Sequence, residues 1–266
     1  LSARERQFSV LGYDRRALGK VYFAAQRERR EQMRSAPPAD GMAVQNDPGP
    51  SVRLGRRLAG DVADLVVVRA ALSERQLAEV MADFWTNHFN VFFAKGADRF
   101  LLPDYIEHTI RPHALGRFAD LLRATTRSPA MLVYLDNWQS VAPRSKPPRP
   151  PRPRGINENY ARELLELHTL GADGGYTQQD VIDVARIFTG WSIRRPQQGG
   201  DFKFYDRAHD RGAKIVMGVT YPPGGGMDEG FRLLAWLAAN HATMRHVSHQ
   251  LCRRFVSDQP PDGCVD

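Results

Sequence analysis

Leu77, Val80, Met81, Phe84, Trp85 and His88 recur at i, i+3, i+4, i+7, i+8 and i+11. That spacing gathers them on one side of an α-helix, whereas on a strand they would scatter over both faces. The same period returns along most of the chain. Leu18, Val21, Tyr22 and Ala25 form a stripe within 15–35, and Leu54, Leu58, Val62, Leu65 and Val66 form one within 53–72. Phe118, Leu121, Leu122 and Thr125 mark another at 117–126. Val181, Ile182, Val184, Ala185, Ile187 and Phe188 mark one that ends at Gly190. The fold class that follows is mainly α: a multi-helix globular domain.

Start and stop signals divide these stripes. Ser73 with Gln76 three residues on predicts a capping box at the head of the 77–88 helix, and Thr177 with Asp180 predicts a second one. Pro103 reads as the first residue of a helix through Ile110, and Ser128-Pro129 opens a helix carrying Met131, Leu132 and Leu135. Two closing helices are expected at 227–239 and 243–256. Between them and the 177–190 helix, 201–205 and 214–217 read as two short strands paired as one small β-hairpin around 206–212.

The organisation that results is an N-terminal helix and flexible linker over 1–50, then a helical domain over 51–266. Within it, 143–154 is Pro-Arg-Ser-Lys-Pro-Pro-Arg-Pro-Pro-Arg-Pro-Arg, which can form neither helix nor sheet and reads as an extended polyproline loop. It can bind an aromatic groove or an acidic surface, or be an idle excursion. Near the end, Met244, Val247, Leu251 and Phe255 form a stripe at i, i+3, i+7 and i+11, followed at once by Pro260-Pro261-Asp262-Gly263. The domain is therefore expected to be truncated at its C-terminus and to leave part of that stripe wet.

The formal charge of +7 is carried almost wholly by Arg, since Lys occurs only at 20, 95, 146, 203 and 214. An Arg-rich balance suits nucleic acid or anionic surfaces. The Arg residues are dispersed and lack interleaved aromatic platforms, which argues against nucleic acid and for solvated helix faces. No run of 18 apolar residues exists to span a membrane. Cys252 and Cys264 make neither a metal spacing nor a dense disulfide frame, and the helical pattern around Cys252 predicts a buried thiol.

Candidate chemistry centres on 157–176. At 100° per residue, Tyr160, Ala161, Leu164, Leu165 and Leu167 share a sector with His168 near its middle, while Asn159, Glu163 and Glu166 lie opposite. Gly171 stops the helix by taking the left-handed cap. His88 and His168 thus each sit near a helix C-terminus on the buried side. Such imidazoles are either core residues bonded to carbonyls or members of a shared metal or acid/base site. Glu163 and Glu166 project from one face and can bind a metal or divide acid and base roles. They can equally belong to a wet face with Glu158–Arg162 and Arg162–Glu166 ion pairs. Asp206, His209 and Asp210 fall in the predicted hairpin loop, as binding residues or as an ordinary turn. The candidate catalytic set is His88, Glu163 and His168. The candidate ligands for a divalent metal ion are His88, Glu163, Glu166, His168, His209 and Asp210. Neither Glu-x-x-His nor His-Glu-x-x-His occurs here, and no phosphate-binding Gly loop or nucleophile elbow is present.

Several stretches together resemble a bacterial family, domain of unknown function 1800. They are Phe84-Trp85-Thr86-Asn87-His88-Phe89, Pro129-Ala130-Met131-Leu132 with Leu135-Asp136-Asn137, and the whole of 157–176 running into Thr177-Gln178-Gln179-Asp180-Val181. Ala185-Arg186-Ile187-Phe188-Thr189-Gly190-Trp191, His209-Asp210 and the 245–255 helix complete the series. The Pro/Arg loop departs from the shorter link expected there, and the family's domain extends past residue 266. The resemblance implies a mostly helical bacterial protein, often exported to the envelope, and implies no reaction. The sequence leaves open a structural or partner-binding envelope domain with an unidentified protein partner, and a metal-assisted hydrolase or oxidoreductase. Nucleic-acid binding is the weaker third.

Overall fold

The apolar stripes become helices that enclose two apolar clusters. The computed structural model describes residues 3–35, 48–143, 155–194 and 200–265. The 36–47 connection and the Pro/Arg segment from 144 to 154 lie outside the described residues. Helix α1 (Arg15–Ser35) packs on α2 (Pro50–Leu72) and α4 (Asp98–Tyr105). Between them Val10, Leu18, Leu58 and Phe100 form the smaller cluster.

The larger cluster joins α3 (Gln76–His88), α5 (Phe118–Thr126), α6 (Pro129–Tyr134), α7 (Asn159–Glu163), α8 (Gln178–Ile187), α9 (Met227–Ala238) and α10 (His241–Phe255). Trp85, Tyr160, Leu164, Phe188, Trp191 and Leu233 are buried in it. Each fully buried side chain of this size contributes about 1.5–3 kcal/mol relative to exposure. Trp191 lies so close to α9 that a Cβ on Gly230 would stand 2.4 Å from its ring, so glycine is required at that crossing.

Thr177 and Asp180 form the expected capping box at the head of α8. The box expected at Ser73 does not form. The Ser73 amide ends α2 by donating to the Arg69 carbonyl (3.0 Å) and is not available to Gln76, whose side chain donates to the Ser73 carbonyl instead (2.6 Å). Pro103 does not begin a helix either. Helix α4 starts five residues earlier at Asp98, and a π-turn at Ile106–Ile110 follows it.

The fold is mainly α as expected, but its β part among the described residues is two antiparallel strand pairs and not one. Strands β1 (Trp191–Ile193) and β2 (Phe202–Phe204) pair antiparallel, with Trp191 opposite Phe204. Strands β3 (Lys214–Val216) and β4 (Val219–Tyr221) pair antiparallel, with Lys214 opposite Tyr221. The strand positions agree with the sequence and the pairing does not. Met217 (φ 46°) and Gly218 (φ 80°) are both left-handed, which reverses the chain at once and pairs β3 with the segment that follows it. Helix α8 covers β3: Asp180 accepts from the Met217 amide (2.6 Å) and Asp183 from the Ile215 amide (3.4 Å).

At the C-terminal end the expected buried thiol is a disulfide. The turn after α10 folds helix α11 (Asp262–Val265) back onto it, bringing Cys252 and Cys264 to a Cα separation of 6.2 Å in a Cys252–Cys264 bond. A 12-residue separation gives no frame in sequence, because the closure depends on the return of the chain. On the α10 stripe Val247 is buried and Leu251 half-buried, while Met244 and Phe255 are 51% and 49% exposed. No helix among the described residues is long and apolar enough to cross a membrane.

Candidate functional site

Helix α7 does not end in a regular turn. From Leu164 to His168 the backbone widens into a π-turn, and Thr169 leaves it with φ −133° and ψ −91°. Gly171 then takes the left-handed cap at φ 84°, as the sequence predicts. A helix end leaves its last carbonyls without intrahelical partners. Here the carbonyls of Leu164, Leu165, Leu167 and His168 are each met. The Thr169 hydroxyl donates to Leu164 (2.7 Å) and the Gly171 amide to Leu165 (3.2 Å). His246 donates from its ring to Leu167, and His88 donates Nε2–H to His168 (3.1 Å).

This arrangement brings the two sequence-predicted histidines together. The rings of His88 and His168 are 6.3 Å apart, and the His246 ring lies 6.2 Å from that of His88. Phe84, Trp85, Phe89 and Phe118 pack around His88. A carbonyl can only accept, so the bond to His168 fixes His88 as the Nε2–H tautomer. Burial, with a smaller push from His246, lowers His88 to about 4. Burial and then His88 lower His168 to about 3. Burial is also the main cause that lowers His246. Near neutral pH the cluster is a set of uncharged imidazoles, two of which, His88 and His246, serve backbone carbonyls.

The carboxylates expected nearby are disposed differently. Glu163 at the end of α7 and Glu166 in the π-turn are part-exposed, and burial followed by the charge of Glu166 raises Glu163. Among the described residues neither makes a hydrogen bond or ion pair with His88 or His168. Glu158 and Arg162 form the expected i, i+4 pair at 3.4 Å, whereas Arg162 turns to Gln178 (3.0 Å) and not to Glu166.

His209 and Asp210 belong to a second cluster that shares no member with the first. His209 donates Nδ1–H to the Thr189 carbonyl (2.9 Å), and its Nε2 lies 3.5 Å from Glu229 Oε2 without a hydrogen-bond partner. Lys214 Nζ donates to Glu229 Oε2 (2.6 Å) and to the Asp210 carbonyl. The Gly225 amide donates to Glu229 Oε1 (3.1 Å). Arg186 bridges Asp183 (2.6 Å) and Asp210 (3.1 Å); burial raises Asp210, but Arg186, the Gly212 amide and the Lys214 charge together hold it below the usual carboxylate range. Lys214 and Glu229 are both 1% exposed.

Among the described residues no three His, Cys, Asp or Glu side chains are grouped to hold a metal ion. The six candidate ligands are divided between two clusters and a part-exposed helix face. Sequence reasoning missed His246, Lys214 and Glu229. His246 lies off the apolar stripe of α10. The only hint at Lys214 was a rare Lys inside an apolar strand.

No curated protein and no solved structure matches the chain. Residues 10–266, nearly all of the chain, fit the family described as Protein of unknown function (DUF1800), and the chain belongs to that family.

Proposed function

We propose that this chain is an envelope-associated helical domain that acts by binding a protein partner or by a structural role, and not by chemistry at His88, Glu163 and His168. The observation that carries this reading is the use made of the imidazoles. His88 and His246 donate to successive carbonyls at the end of α7, so the residues with most catalytic potential serve to hold a helix terminus. Placement in the envelope is supported by the Cys252–Cys264 bond, because disulfides persist in oxidising compartments and are rare in the cytosol.

The alternative is a metal-assisted hydrolase or oxidoreductase using His88, Glu163, Glu166, His168 and His209. Elemental analysis of the purified full chain, beside His88→Gln and His168→Gln, decides between the two. The expected result is no stoichiometric transition metal in any of the three. A metal bound one to one in the parent and lost in both variants would overturn the proposal. Thiol alkylation in intact cells, before and after reduction, tests the compartment. Cys252 and Cys264 are expected to be blocked until reduced, and free thiols would count against envelope placement.

A further inference from the structure

A cleft of about 500 Å³ opens between the end of α5, the turn after the 106–110 π-turn and Phe202 of β2. Its charged lining is unevenly neutralised. Arg15 is paired with Asp104 (2.8 Å) and Asp201 (3.0 Å), and Asp120 is paired with Arg117 (2.9 Å). Arg123 and Arg127 line the same cleft and form no ion pair among the described residues.

These two guanidinium groups are held in place by other means. Both lie over the ring of Phe231 on α9, with their central carbons 4.7 Å and 5.8 Å from its centroid. Arg127 Nε also donates to the Arg123 carbonyl (3.3 Å). A guanidinium stacked on an aromatic face keeps its outer N–H edge free for forked hydrogen bonds. Holding both in advance lowers the ordering cost of binding. Burial, and secondarily the charge of Arg123, lowers Arg127, as two adjacent cations without a counter-ion require. His113 also lines the cleft, with its Nδ1–H used on the Thr109 carbonyl (2.8 Å).

We propose that this cleft binds a phosphate group, carried by a small phosphomonoester or by a lipid headgroup. Two forks match the charge and the three terminal oxygens of a phosphomonoester. A carboxylate is satisfied by one fork and would leave the second cation bare. The space admits one phosphorylated group and offers no row of aromatic platforms for a nucleic-acid strand. This inference goes beyond the partner-binding reading and does not depend on the histidine cluster.

The test is calorimetric titration of the full chain with glycerol 3-phosphate, and co-flotation with phosphatidylcholine vesicles with and without phosphatidic acid. Saturable binding of either probe is expected, falling about tenfold or more in Arg123→Gln and in Arg127→Gln. Arg75→Gln, on a residue outside the cleft, should leave it unchanged. Binding of the soluble ester assigns a free ligand, and binding of phosphatidic acid vesicles alone assigns a headgroup. Arg127→Lys keeps the charge and removes the fork, so it should also weaken binding, and it serves if the Gln variants misfold. The proposal is overturned by absence of binding to both probes, by acetate binding as tightly as glycerol 3-phosphate, or by affinity unmoved in the Arg variants. Tighter binding to single-stranded DNA than to either probe would overturn it as well.

Discussion

The two buried histidine clusters solve the same problem in opposite ways. At the end of α7 the polar groups are neutral: imidazole N–H groups meet backbone carbonyls, and burial keeps His88 and His168 uncharged. Around Lys214 the polar groups form ion pairs: Glu229 with Lys214, Lys214 with Asp210, Asp210 with Arg186 and Arg186 with Asp183, with His209 against Glu229. The difference follows from what each site must hold. A widened helix end presents only acceptors, so neutral donors suffice. In the second hairpin Lys214 shares the buried side with Val216 and Tyr221, and charged side chains of α8 and α9 bond the backbone of the hairpin and its exit turn: Asp180 at Met217, Asp183 at Ile215 and Glu229 at Gly225. A neutral cluster should therefore lose stability one hydrogen bond at a time, whereas an ionic one should fail when any single charge is removed.

The largest effect is expected at Lys214. Lys214→Met leaves Glu229 buried without its cation and should cost about 3–5 kcal/mol. Lys214→Met with Glu229→Leu removes both partners and should recover a substantial part of that loss. Chemical denaturation of the parent, both single variants and the double variant forms the cycle that measures this. A loss at Lys214→Met below about 1 kcal/mol, on the scale of an exposed pair, would erase the distinction between the clusters.

An intermediate effect is expected at the helix end. His88→Phe fills the aromatic surround but leaves the His168 carbonyl without a donor, which should cost about 1–3 kcal/mol. His88→Gln keeps a donor and should cost less. Equal losses in the two variants would show that the ring is held by packing alone and that the bond to His168 contributes nothing.

How much of this was legible depended on the range of the contacts. The approach of His88 to His168 could be read because each lies on the apolar stripe of its own helix, and two stripes facing one core bring their members together. The π-turn could not be read, because it adds a residue to a turn without altering the stripe before it. His246 escaped because its role is set by the path of the chain after Gly171, not by its own helix. Lys214 and Glu229 are 15 residues apart, and their pairing depends on the tight turn at Met217-Gly218. Because β3 pairs with β4 across that turn and not with β2, no local pattern places Lys214 beside α9. The disulfide was hidden for the same reason: α11 must fold back before Cys264 can reach Cys252.

The smallest effect is a pH dependence that separates neutral from ionic burial by its sign. His88 and His168 sit at about 4 and about 3 when folded, below the ordinary value of 6.5. Their contribution is complete above 6.5 and is lost as pH falls toward 4 and 3, because the unfolded chain takes up protons that the folded chain refuses. Asp98 tilts the other way. It is fully buried, neither of its oxygens has a hydrogen-bond partner, and burial raises it to about 8, with Lys95 lowering it and Asp136 raising it. The folded state holds a proton there that the unfolded state releases near 3.8, so this contribution is complete below 3.8 and is lost as pH rises through 8. Between pH 7 and 8 the unfolded histidines are mostly deprotonated as well, so the Asp98 proton is the larger effect and lowers stability by at most about 1.4 kcal/mol per pH unit. Denaturation midpoints across that window should fall in the parent and flatten in Asp98→Asn. Below pH 6 the two histidines outweigh the one carboxyl, and stability should fall with acid in the parent and less steeply in His88→Gln. A parent profile flat from pH 7 to 8, with no change in Asp98→Asn, would mean that Asp98 is ionised in the fold and has found a partner.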